Sequence, residues 1–189
     1  MSTSSSHPGS GLRADAQENR ARIVEIAREA FANDGSATMQ SIARAAGVGQ
    51  GTLYRRFPTR EALLVEVYRE DFEALTAAAG GLLEQHSPIE ALRRWFDALA
   101  AFGHMKHALS DVLDAVTRAE LHDEQYERIL AAVAELLDAG KARGEIRADI
   151  EPDEVFPLLS FLWHVAPKAE ERTGHLLDLV VDGLREPRR

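Results

Sequence analysis

Within seven consecutive residues, 50–56 (QGTLYRR), the chain gathers a carboxamide, two hydroxyls and two guanidiniums. Such a set suits contact with a nucleic-acid duplex better than it suits catalysis. The hydroxyls of Thr52 and Tyr54 match phosphate oxygens, contacts that position a protein without reading sequence. Gln50 and Arg55 match base edges, since Gln pairs with adenine and Arg with guanine. Arg56 reaches either a base or a phosphate, and Gly51 lets the backbone come close to the duplex. Each residue also has a plainer reading, because a surface Arg is ordinarily only solvated and a helix-borne Tyr is often half-buried.

Elements that would hold these groups are legible on both sides. Leu53 and Phe57, four residues apart, give the segment an apolar stripe, so it reads as a short helix starting near Gly49. Upstream, Thr38 is a capping residue, and Ile42, Ala43 and Ala46 form the apolar stripe of another short helix. Gly47 suits the left-handed residue that ends a helix, and Val48 seals the turn against a core. Two helices around a tight Gly-Val-Gly turn make a helix-turn-helix, whose second helix lies in the major groove. Gln40 and Arg44 on the first helix and Arg60 just beyond the second are further phosphate candidates. The Thr38 hydroxyl caps its helix, and the backbone N–H groups beside it could also meet a phosphate.

A net charge of −9 at first opposes DNA binding, but its distribution removes the conflict. Residues 1–60 hold eight Arg, no Lys and five Asp/Glu, a net of +3; residues 61–189 hold fourteen Lys/Arg and twenty-six Asp/Glu, a net of −12. A basic head on an acidic body can bind DNA with one end and repel it elsewhere. The absence of cysteine excludes disulfides and Cys-ligated metal sites. No apolar run approaches the ~20 residues that span a membrane, and MSTSSSHPGSG lacks the apolar core of a secretory signal. The expectation is a cytoplasmic protein with no membrane partner. Residues 1–15 are expected to be a disordered tail, 16–60 a helix-turn-helix DNA-binding domain, and 61–189 a ligand-binding and dimerisation domain.

Strand-type alternation is scarce, and Ala, Leu, Glu and Arg dominate, so the expected class is all-α with about nine helices. Ile23, Ile26, Ala27, Ala30 and Phe31 define an amphipathic helix over 19–33. Thr59 caps a long helix from about Arg60 to Gln85, with Gly80-Gly81 a soft point within it. Ser87-Pro88 starts another that carries Leu92, Trp95, Phe96, Leu99 and Phe102 to Gly103. A shorter helix over Lys106–Val116 and one over 123–143 follow, then a connector at 145–152. Residues 153–166 are apolar on nearly every side, with Pro157 either kinking that helix or moving its start to Phe156. A last helix covers about 170–185. A helix apolar all round must be covered, so these last two are expected to pair with a second copy as a four-helix interface. The residues assigned to it are Phe156, Leu159, Leu162, Trp163, Leu176, Leu177, Val180, Val181 and Leu184.

Taken together, AREAFANDG, IARAAGVGQGTLYRRFPTREALL and VYR, within residues 19–68, closely resemble the TetR family of bacterial transcriptional regulators. Over 86–189 only the helical order and lengths match, with AGKARGEIRADIEPDEV similar to the segment that joins the last pocket helix to the dimerisation helices. Two departures stand out: the loop before Thr38 is a residue or so short, and Gly49 replaces the usual capping residue. The resemblance implies a three-helix DNA head, a fourth helix acting as lever, and a body that binds a small molecule and dimerises. It also implies a cavity on helices five to eight, for which Trp95, Phe96, Phe102, His104, Met105, His107, Phe161 and His164 are candidates. For any one of the aromatics, plain core packing is the commoner role. The implied action is repression from a palindromic operator, relieved by an unidentified small-molecule effector.

Catalysis has little support. Gly47-x-Gly49-x-Gly51 follows a helix rather than a strand, and no GxxxxGK[ST], GxSxG or HExxH occurs. His104-x-x-His107 could place two ligands on one helical face, but no Glu-x-x-His pair accompanies it. No enzyme, cofactor or metal site is expected. The rival reading is a helical scaffold that binds only proteins, or a regulator without a small-molecule ligand; such a scaffold would not need the Arg/Tyr/Gln surface at 50–56.

Overall fold

In the computed structural model the described backbone comprises residues 9–33, 37–110, 115–163 and 170–187, and the described side chains are those of 16–31, 37–103, 125–162 and 171–187. These residues form eight α-helices and one 3-10 turn: α1 (Gly9–Asn33), α2 (Met39–Ala45), α3 (Gln50–Arg56), α4 (Arg60–Gln85), α5 (Pro88–Ser110), α6 (Ala115–Ala142), α7 (Pro152–Leu158), the turn Ser160–Trp163, and α8 (Glu170–Leu184). The all-α expectation holds. The chain divides into two compact units, with the boundary inside α4 between Val67 and Tyr68.

In the first unit, Ile23, Val24, Ala27 and Phe31 of α1 meet Met39, Ile42 and Ala43 of α2, Leu53 of α3, and Leu63, Leu64 and Val67 of α4 in one buried core. Thr59 caps α4 as expected, its hydroxyl accepting from the Ala62 N–H at 3.1 Å. At about 39 Å, α4 is the longest reach available to a 26-residue helix.

The second unit is built on α5, which buries Ile89, Leu92, Trp95, Phe96, Leu99 and Phe102 and leaves Glu90, Arg94, Asp97, Ala98 and Ala101 exposed. Against it lie Tyr68, Phe72, Leu75 and Ala79 of α4, Ile129, Val133, Leu136 and Leu137 of α6, and Leu177, Val181 and Leu184 of α8. One end is stitched by polar contacts. Glu145 accepts from the Ile89 N–H that opens α5 (3.1 Å). The Arg147 N–H donates to the Leu184 carbonyl (3.0 Å) and the Glu186 N–H to the Glu145 carbonyl (3.1 Å). Arg93 of α5 reaches α8, donating to Asp178 at 2.6 Å and to the Gly174 carbonyl at 3.2 Å.

Helix extents depart from the sequence reading in four places. α1 starts at Gly9, so residues 9–15 are helical rather than tail; Leu12, Arg13 and Ala14 are strong helix formers. Residues 1–8 lie outside the described set. α5 does not stop at Gly103 but runs to Ser110, because a glycine inside a helix costs only about 1 kcal/mol and Gly103 is buried. α6 starts at Ala115, so the described residues of 106–116 belong to α5 and α6 rather than to a separate helix. The apolar run after Pro152 is divided: Pro157 lacks the N–H that would continue the α-helical ladder, and the chain tightens after Leu158 into the 3-10 turn.

Candidate nucleic-acid interface

Thr38 begins the interface with a reciprocal cap. Its hydroxyl accepts from the Ser41 N–H at 3.2 Å, while its own N–H donates to Ser41 Oγ at 3.1 Å. The turn after α2 passes through Gly47, whose φ of +67° is the left-handed conformation that the turn requires. The Val48 N–H then closes the turn on the Ala43 carbonyl at 3.0 Å. Gly49 precedes α3 without any side-chain cap, although its carbonyl accepts from the Thr52 and Leu53 N–H groups at 2.9 and 3.1 Å.

Only Leu53 of α3 is buried; Gln50, Gly51, Thr52, Tyr54, Arg55 and Arg56 are all exposed. Tyr54, at 47%, is among the few exposed large hydrophobic side chains described. Arg55 donates to Thr52 Oγ1 at 3.2 Å, which holds the guanidinium along the helix surface. No atom would obstruct a side chain at Gly51, so its face is open to solvent. Gln40 and Arg44 are exposed on α2. Arg60 differs: it is half-buried, its Nε donates to the Ala37 carbonyl at 3.1 Å, and its guanidinium lies 4.8 Å from the centroid of the Phe31 ring.

In the second unit the aromatic candidates separate by role. Trp95 and Phe96 are fully buried, and the Trp95 indole N–H donates to the Leu75 carbonyl at 2.9 Å, so both build the core. Phe102 is also buried but in addition lines an open groove of about 350 Å³ together with Asp71, Ala74, Leu75, Ala78, Ala98 and Ala101. Phe161 is half-buried. His164 and the side chains of His104, Met105, His107 and Trp163 lie outside the described residues. Of the residues assigned to a second copy, Leu159, Leu162, Leu177, Val181 and Leu184 are covered within their own unit. Phe156, Leu176 and Val180 are half-buried, and Leu158 and Leu179 are exposed at 46% and 55%.

Two side chains escaped the sequence reading. The Tyr68 hydroxyl donates to Gln125 Oε1 at 2.6 Å, and its ring stacks on Phe102 with centroids 4.8 Å apart. Burial pushes the Tyr68 hydroxyl up to about 12, against the smaller opposite pull of the Gln125 bond. The signal available was Tyr68 standing four residues before Phe72 on the apolar stripe of α4.

These features agree with known proteins. Residues 23–67 match the family model for bacterial regulatory proteins of the tetR family, and residues 87–186 match the C-terminal domain of SbtR-like transcriptional regulators. A TetR transcriptional regulator from Streptomyces coelicolor is 37% identical, with a TM-score of 0.78 over 89% of this chain and 99% of that one. A TetR regulatory protein from Mycobacterium vanbaalenii is 35% identical, with a TM-score of 0.73 over 92% and 99%. An HTH-type transcriptional regulator of Staphylococcus aureus (strain USA300) is 34% identical over 107 residues, 55% of this chain and 58% of that protein, so the match spans little more than half of that relative. The chain belongs to the TetR family of bacterial transcriptional regulators.

Proposed function

We propose that the protein is a DNA-binding repressor that acts as a homodimer on a palindromic operator and is released by a small molecule held in the second unit. The observation that carries this reading is α3, a helix with one buried residue and an otherwise exposed face of Gln50, Thr52, Tyr54, Arg55 and Arg56. Thr52, Tyr54, Gln40 and Arg44 bind phosphates; Gln50 and Arg55 read bases; Arg56 does either. Arg60 contributes by holding the loop carbonyl of Ala37 in place. The exposed Leu158 and Leu179, with Phe156, Leu176 and Val180 beside them, support pairing of α7 and α8 with a second copy. Two copies then offer α3 to successive major grooves, about 34–36 Å apart.

The groove beside Phe102 supports a small-molecule site, since its size falls at the lower end of ligand pockets. The effector shifts operator affinity only by as much as its affinity differs between free and DNA-bound protein. Among the described residues no helix is long and apolar enough to cross a membrane, and no cluster of metal-ligating side chains occurs. A regulator that binds an operator works in the cytoplasm, the location this reading assigns, and its role requires no catalytic activity.

Selection of bound duplexes from random DNA is the deciding experiment. A palindrome with half-sites one helical turn apart, bound less tightly as salt rises, is the expected result. Absence of salt-dependent binding to any duplex would favour a protein-binding scaffold instead. A screen scored by loss of operator binding would then find the effector. Ala98→Trp, which fills the groove from an exposed position, is expected to abolish the effector's action and leave DNA binding unchanged.

A further inference from the structure

Four side chains of α4 are buried in the second unit, Tyr68, Phe72, Leu75 and Ala79, and of these only Tyr68 carries a polar atom. Its partner, Gln125 of α6, is 7% exposed. Stability alone does not call for this pair. Phe and Leu would fill similar space without the cost of taking a hydroxyl and a carboxamide out of water. What the pair adds is geometry: a 2.6 Å hydrogen bond exists at one rotational setting of the helix, whereas apolar contacts tolerate sliding. Tyr68 also directly follows Val67, which is buried in the core of the first unit, and Glu66 pairs with Arg20 of α1. Within three residues, a single helix is thus held by one polar contact in each unit.

We propose that the Tyr68–Gln125 hydrogen bond is a positioning contact that fixes the rotational setting of α4 in the second unit and thereby sets operator affinity. The inference rests on the regulator reading. It also gives the effector a point of action, because Phe102 both lines the groove and stacks on Tyr68.

The test uses the full chain, a duplex selected with the wild type, and two variants. Tyr68→Phe keeps the ring but deprives Gln125 of its donor; Tyr68→Phe/Gln125→Leu removes both polar partners. Tyr68→Phe is expected to lower both Tm and operator affinity. In the double variant Tm recovers towards wild type while operator affinity stays about fivefold or more below it, a separation that a merely structural contact would not produce. Preference among half-site sequences stays unchanged, because α3 is untouched. Operator affinity that returns together with Tm would overturn the proposal. Should the double variant not fold, Tyr68→Phe assayed well below its Tm decides: unchanged affinity overturns the proposal and reduced affinity supports it. Failure of the wild type to select any duplex would overturn the regulator reading and this inference with it, whereas selection followed by equal affinity in every variant would overturn this inference alone.

Discussion

Ile146 fills the space in which a side chain at position 140 would stand. A Cβ built on Gly140 would lie 2.6 Å from Ile146 Cγ1, closer than real contacts allow, and 3.1 Å from Ile146 Cβ, tighter than most. Ile146 is 1% exposed, and the backbone around it is held against the end of α8 and the residues just after it. Gly140→Ala is therefore expected to destabilise the second unit by about 1–3 kcal/mol, the usual cost of overpacking. The alanine would otherwise favour the helix by about 1 kcal/mol, so a stabilised variant in urea unfolding would show that Ile146 yields.

On α3 the expected division is between position and readout. Tyr54→Ala should weaken binding to all duplexes alike, whereas Gln50→Ala or Arg55→Ala should relax preference at one base pair by about 1–3 kcal/mol. Binding measured across matched operator variants separates the two outcomes, and the reverse pattern would exchange the assigned roles.

Arg60 is expected to matter before any DNA is present. Arg60→Ala removes the hydrogen bond to the Ala37 carbonyl and the stacking over Phe31, lowering the stability of the first unit by about 1–2 kcal/mol. A phosphate contact alone would leave unfolding unchanged and reduce the salt slope of binding by about one.

Gly49 leaves the N-terminus of α3 without a side-chain cap, and a Cβ there would meet only Thr52 Oγ1, at 4.0 Å. Gly49→Ser should therefore fit and cap the helix, raising stability by a few tenths of a kcal/mol. Amide exchange over residues 50–56 of the free protein should slow in step. Strong protection already present in the wild type would show that α3 needs no such help.

Tyr68 predicts a pH signature. An unfolded tyrosine titrates near 10, and the folded group is pushed up to about 12 by burial. The stabilisation from its neutral form is complete below about pH 10 and is lost as pH rises towards 12. Over that window the unfolding free energy of wild type should fall relative to Tyr68→Phe by on the order of 2–3 kcal/mol. A constant difference would place the hydroxyl in water rather than in the core.

Local chemistry made several elements readable in advance. Thr59 marks the start of α4, Ser87-Pro88 the start of α5, and Gly47 the end of the first helix of the interface, because each residue type answers a need of the backbone at that point. The passage of α5 through Gly103 was not readable, since the packing that offsets a mid-helix glycine comes from distant residues. Nor did the apolar stripes of the last two helices say what covers them. Leu159, Leu177 and Val181 signal burial, and the structure supplies it from within the same unit, leaving Leu158 and Leu179 outside. Trp95 and Phe102 look alike in sequence; tertiary packing buries both, and only that packing makes Phe102 also a wall of the groove.

The stitch joining Glu145 to Glu186 has a consequence for the order in which a new chain matures. Everything that closes the first unit's core lies at or before Val67, so it can fold while the ribosome is still making α5. The second unit must wait until Glu186 emerges to complete its pairing with the connector after α6. The helix-turn-helix unit of a nascent chain is thus complete first, and the second unit is complete more than a hundred residues later.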